Sequence, residues 1–304
     1  MDRLAKEKST GAMKALIVNA DDLGWTAGVN RGIAESHRNG IVTSASLLAN
    51  GPAFDDAVNV ARALPAIGVG VHLNLSDGPS LSAAKAVPSL VNEKGQLSGG
   101  PEQLLLNLAR RRLKLAEVER EWDAQIEKIR AAGIAPTHLD GHKHVHMLPG
   151  LFPVALKLAK KHCVAAIRIS NEASSLRVAL SGKSGRNAGV LLKQGVQARG
   201  LKLLARDARK LADKAGIEAA DYFCGIAQTG VLTREGLLDL LEALPDGVTE
   251  LMCHPGYADD DLARTSTRLQ ESRASELAIL TDTAVRKSVA SHGIRLINYS
   301  LLNN

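Results

Sequence analysis

KALIVNADDLG, residues 14–24, is a short apolar run that ends in two adjacent aspartates and a glycine. An uninterrupted run of this length reads as a strand buried on both faces, the kind that parallel sheets use. An open, doubly wound sheet would follow its first strand with a glycine-rich turn that cradles phosphate. Asp21 and Asp22 stand in that turn instead and would repel phosphate. The alternative for a parallel sheet is a barrel, in which strand ends converge on one mouth.

The rest of the chain keeps the alternation that a barrel needs. Strands are predicted at VTSASLLAN (42–50), IGVGVHLNL (67–75), THLDGH (137–142), AAIRIS (165–170), ADYFCGI (220–226), TELMCH (249–254) and IRLINYS (294–300). Helical patterns lie between them, at about 101–132, 188–215, 233–243 and 270–292 among others. About eight βα units in 304 residues predict an α/β fold: one distorted (β/α) barrel over residues 13–304, preceded by a flexible polar leader at 1–12.

Composition excludes several function classes. No stretch approaches the ~20 apolar residues of a membrane span, and the leader lacks the apolar core of a secretory signal. Three cysteines, far apart and odd in number, suggest no disulfide framework, so a reducing cytoplasm is the expected compartment. The net charge of +6 is local: residues 183–214 carry five Lys and four Arg against two Asp, inside a basic helical insertion at about 177–215. That segment has no aromatic residue for base stacking, so nucleic acid is not an expected partner. Its Leu, Val, Lys and Arg at helical spacing suit peripheral membrane contact, an ordinary barrel helix with a solvated basic face, or a dimer contact.

Polar residues gather where a barrel would use them. The first strand ends in Asp21 and Asp22, the third carries His72, the fourth ends in Asp140-Gly141-His142, and another ends in His254-Pro255-Gly256. Taken singly, each has a plain structural reading: a helix cap, a hydrogen-bonded core histidine, a turn residue. THLDGHKHVHM (137–147) is harder to read that way, with four histidines and an aspartate in eleven positions. Carboxylate and imidazole delivered by four separate strand ends suit a divalent metal with open positions for water and substrate. Because neighbouring residues on a strand point apart, one aspartate can bind the ion while the other faces a bound water.

IVNADDLG, GVHLNLSDG, THLDGHKHVHMLPG and ELMCHPGY together resemble, in order and spacing, the YdjC-like carbohydrate deacetylases. The resemblance implies a barrel of the polysaccharide-deacetylase type, one divalent metal ion (zinc or magnesium foremost), an N-acetylated amino-sugar substrate and a homodimer. It implies Asp22, His72 and His142 as metal ligands, Asp21 as catalytic base and His254 as general acid. Arg168, His144 and His146 are expected to contact substrate or support the ligands. Ser170 stands where the family often has Asp, and Lys143 where a histidine is common. ADYFCGIAQTG and the basic insertion look most like the hopanoid-biosynthesis-associated branch, whose substrate is an N-acetylglucosaminyl hopanoid at the inner membrane face. Chitooligosaccharide deacetylation, metal-dependent phosphoester hydrolysis and non-catalytic sugar or lipid binding are the competing readings.

Overall fold

The computed structural model of the chain describes residues 13–97, 99–172 and 204–302. Strands β1 (Lys14–Leu23), β2 (Ser44–Leu47), β3 (Gly68–Leu73), β4 (His138–Gly141), β5 (Ala166–Ile167), β6 (Tyr222–Cys224) and β7 (Gly247–Cys253) form one sheet in the order β5-β4-β3-β2-β1-β7-β6. Every pairing is parallel, and β8 (Arg295–Leu296) adds to the start of β1. The sheet curls until its ends touch, through bridges from Ala166 to Glu218 and from Glu172 to Phe223. This is the distorted barrel expected from the sequence, with its helices packed outside.

Two faces of the strands bury different chemistry. Leu16, Val18 and Ala20 point outward into the main apolar cluster, which includes Ile33 of α1 (Ala27–Asn39) and Ile126 of α4 (Leu115–Ala131). The barrel interior is apolar only near the floor, where Ile17, Ala166, Ile297 and Tyr299 pack together. Above that floor it is filled by Asn19, Ser46, His138, Asp140, Arg168 and Glu250, all buried. Gly70 makes room for this polar filling: a Cβ there would stand 2.4 Å from the His138 ring.

Helix boundaries follow local chemistry that periodicity does not reveal. The single pattern at 101–132 is two helices, α3 (Pro101–Ala109) and α4, separated by a turn in which Arg111 takes φ 56°. The pattern at 270–292 also divides, because Asp282 accepts the amides of Ala284 and Val285 and so caps a fresh helix, Thr283–Ser291. The expected basic insertion lies outside the described residues up to position 203. The helix described over 204–215 turns Ala205, Ala208 and Ala212 into the core and leaves Arg206, Lys210 and Lys214 exposed, while Arg209 is half-buried and donates to the Ala219 and Ala220 carbonyls.

Candidate metal centre

The site begins with a backbone irregularity. In a regular strand Asp21 would point into the barrel and Asp22 away from it. Between Ala20 and Leu23 the register of β1 against β2 shifts, and Asp22 takes φ 71°, a left-handed conformation rarely adopted outside glycine. The bulge turns Asp22 back towards the mouth, so adjacent carboxylates reach the same bowl. Asp21 Oδ2 lies 3.9 Å from His72 Nε2, and Asp22 Oδ1 lies 3.5 Å from the same nitrogen.

His142 completes a cluster. Its Nδ1 stands 3.0 Å from Asp22 Oδ1 and 3.4 Å from His72 Nε2. Two donors held about 2.1 Å from one ion stand about 3.0 Å apart at a right angle and about 3.4 Å apart at a tetrahedral one. The three donor atoms therefore have the mutual spacing of ligands to one cation. Asp22 Oδ1 is buried and has no well-aligned hydrogen bond; only the two imidazole nitrogens face it, an arrangement that a shared cation would satisfy.

Asp22 and His72 are also hydrogen-bonded through their far sides, as metal ligands are, and His142 faces a carboxylate there. His72 Nδ1 lies 2.8 Å from Asp140 Oδ1, and His142 Nε2 lies 3.2 Å from Asp77 Oδ2. Arg273 Nη2 donates to Asp22 Oδ2 at 2.5 Å. The ring of Trp25 stacks on His142, with centroids 5.6 Å apart. Burial alone would discharge His72, yet Asp140 and Asp21 outweigh it and raise its pKa to about 10. His142 is raised against burial by Asp22 and Asp77, and Asp22 is held well below the usual carboxylate range by Arg273 and His142. The bowl thus draws positive charge towards its carboxylates, which a divalent ion would supply on displacing the imidazole protons.

Asp21, His72 and Asp140 also lie close enough to hold an ion, as do Asp123, Glu127 and His162 on the surface. In the first trio a guanidinium already neutralises the carboxylates, and in the surface trio Lys161 sits 2.6 Å from Asp123.

That guanidinium is Arg168, which the barrel buries among three carboxylates. Arg168 is 0% exposed and lies beneath the mouth. Its Nη1 and Nη2 each donate to Asp21 at 2.7 Å, its Nη1 also lies 2.7 Å from Asp140 Oδ2, and its Nε donates to Glu250 at 2.7 Å. Tyr299 donates its hydroxyl to the other Glu250 oxygen and stacks on His138. Burial would raise the Asp21 pKa, but Arg168 outweighs it and keeps the carboxyl ionised. With Asn19 Nδ2 also donating to Oδ1, Asp21 keeps free acceptor capacity on Oδ2, the oxygen nearer His72.

His144 and His146 are likewise turned inward, where they support the floor of the site. Lys143 and His144 take φ 54° and 58°, and this double left-handed kink folds the strip under the rim. His144 Nδ1 lies 2.8 Å from Ser170 Oγ with its ring edge-on to Phe223. His146 Nε2 lies 3.0 Å from the Arg168 carbonyl oxygen. Burial holds His144 well below its usual pKa and His146 at about 4, so both support the floor as neutral rings.

His254 enters from the end of β7, on the other side of Asp21. Its backbone amide donates to Glu276 Oε2 at 2.6 Å, while its Nδ1 is buried without a partner. Burial pushes the imidazole to about 4, despite the opposing pull of Asp21 and Asp22. The following Gly256 packs on α1 so closely that a Cβ at Gly32 would lie 2.5 Å from the Gly256 Cα. Gly32→Ala must therefore push the His254 segment outward; a loss of about 1–3 kcal/mol in stability is expected, with a parallel fall in kcat. Thermal melting and steady-state kinetics check both.

Sequence reading missed Arg273, Glu276, Glu250 and Asp77 as parts of this site. Asp77 lay within GVHLNLSDG and could have been noticed; Arg273 and Glu276 sit in a helix of weak apolar patterning that carries no signal of their inward turn.

The profile of YdjC-like proteins matches residues 15–291. A carbohydrate deacetylase of Geobacillus stearothermophilus is 36% identical over 284 residues, spanning 93% of this chain and 96% of that protein. One of Brevibacillus brevis is 33% identical, spanning 94% of this chain and 99% of that one. Among solved structures, an Enterococcus faecalis V583 protein provisionally described as a cellobiose-phosphate cleavage protein superposes with a TM-score of 0.75 at 30% identity, covering 94% of this chain and 98% of its own.

Proposed function

This chain belongs to the YdjC-like protein family, and from that premise we propose that it is a metal-dependent carbohydrate deacetylase, cutting the acetamido group of an N-acetylated amino sugar. The observation that carries the reading is the single-ion spacing of Asp22, His72 and His142 beside a carboxylate, Asp21, whose Oδ2 retains acceptor capacity. A bound divalent ion would lower the pKa of a water and polarise the acetyl oxygen. Asp21, fixed by Arg168, accepts the proton as water oxygen attacks the acetyl carbon. The C–N bond then breaks, giving acetate and the free amine once the nitrogen gains a proton.

His254 is the donor to that nitrogen. It is neutral in the resting site, so the proton that Asp21 takes from the attacking water is relayed through His254 to the departing nitrogen. His254→Ala should slow hydrolysis of an acetamido sugar by about 10²-fold or more. The same variant should leave an aryl acetate, whose leaving group needs no proton, within a few-fold of wild type. Equal losses on both substrates would remove His254 from the donor role.

Metal dependence can be read without turnover. An ion at a hundredfold excess over its dissociation constant adds about 2.7 kcal/mol to stability, or roughly 5 °C in Tm for a domain of this size. Asp22→Ala and His72→Ala should each abolish that rise. One ion per chain is expected, because His144 and His146, which a two-metal phosphoesterase would need, face Ser170 and the Arg168 carbonyl.

The finer substrate reading is an N-acetylglucosaminyl hopanoid, supported by ADYFCGIAQTG and the basic segment. No helix among the described residues is long and apolar enough to cross a membrane. Acetate release from the glycolipid and from diacetylchitobiose, each with and without chelator, tests both levels. Chelator-resistant release would overturn the metal role, and preference for chitobiose would overturn the lipid.

A further inference from the structure

Helix α3 is apolar on two sides, and among the described residues only one of them is covered. Leu104 and Leu108 face inward and pack on the core. Leu105 and Leu106 point outward, 44% and 40% exposed, on a stripe with Glu102 and Ala109. A helix that is hydrophobic all round normally meets a partner on each side. Leu115, at the start of α4 and 39% exposed, extends the patch. These are three of the seven large apolar side chains that stand exposed among the described residues, gathered within eleven positions.

The turn between the two helices is cationic. Arg110, Arg111, Arg112 and Lys114 are all exposed, and of these Lys114 lies 3.5 Å from Glu117. The patch also borders the mouth. α3 packs on the turn that carries His142, and the Leu115 methyls lie 3.7 Å from where a side chain on Gly150, just past the histidine strip, would begin.

We propose that this face docks on an anionic phospholipid surface, with Leu105, Leu106 and Leu115 entering the headgroup boundary and the four cations meeting lipid phosphates. Exposed leucines flanked by basic residues are the make-up of a surface-seeking amphipathic segment. Docking here would present the barrel mouth towards the bilayer. The inference does not depend on the deacetylase reading, and its test measures binding, not turnover.

Sedimentation of the full chain with phosphatidylcholine vesicles, and with vesicles containing phosphatidylglycerol, decides it. Wild type should pellet with the anionic vesicles at low salt, stay in solution with the neutral ones, and be released as salt rises. Each basic residue near such a surface is worth roughly a fivefold change in partitioning, so the Arg110→Gln/Arg111→Gln/Arg112→Gln variant should lose on the order of a hundredfold. Leu105→Ser/Leu106→Ser should lose roughly tenfold with unchanged melting. Wild type absent from the anionic pellet overturns the proposal, as do variants that pellet like wild type. So does a halved mass by light scattering in the leucine variant, which would assign the face to a second copy.

Discussion

Asp21→Asn is expected to bind its ion as wild type does and yet release acetate about 10²–10⁴ times more slowly, the usual worth of a positioned general base. The substitution keeps shape and removes charge. It also sets an amide NH2 against one of the two Arg168 donors that now reach Asp21 at 2.7 Å, so a stability cost of about 1–3 kcal/mol should accompany the kinetic loss. Metal analysis of the purified variant separates the two adjacent aspartates. Asp21→Asn should carry its ion, whereas Asp22→Asn should lose it, because Asp22 Oδ1 is the oxygen that faces both imidazoles. A kcat for Asp21→Asn within threefold of wild type would take the base role away from Asp21.

The contrast between those neighbours shows what the sequence could and could not carry. All eight strands were legible, since apolar runs with period-two alternation are a strong local signal. The convergence of four polar strand ends was legible for the same reason: barrel topology sends them to one mouth. The bulge at Asp22 was not, because a left-handed residue leaves no mark on hydrophobic pattern. The inward turn of Arg168 was hidden too. IRIS reads as a strand whichever face its arginine takes, and only closure of the sheet puts a guanidinium among Asp21, Asp140 and Glu250. Arg273 shows the limit most plainly, reaching Asp22 from a helix 251 positions away in the chain.

Arg168→Met should produce the largest stability loss of any single change in the barrel. The side chain is fully buried, and its removal leaves three buried carboxylates, Asp21, Asp140 and Glu250, without their shared cation. Breaking a buried ion pair by deleting one partner costs about 3–5 kcal/mol, against a total stability of about 5–15 kcal/mol for a typical domain. Arg168→Lys should recover only part of this, because one ammonium cannot reproduce a fork that serves Glu250 through Nε and the two aspartates through Nη1 and Nη2. Glu250 offers the internal control. Burial raises its pKa to about 7 even against Arg168, so near neutrality it carries only part of a charge. Glu250→Gln alone should therefore be mild, and adding it to Arg168→Met should return part of the loss by removing one stranded carboxylate. Urea unfolding of the four proteins tests the order. An Arg168→Met variant within 1 kcal/mol of wild type would mean the carboxylates take up protons and do without their cation, and the rigid hold on Asp21 would no longer explain its readiness as a base.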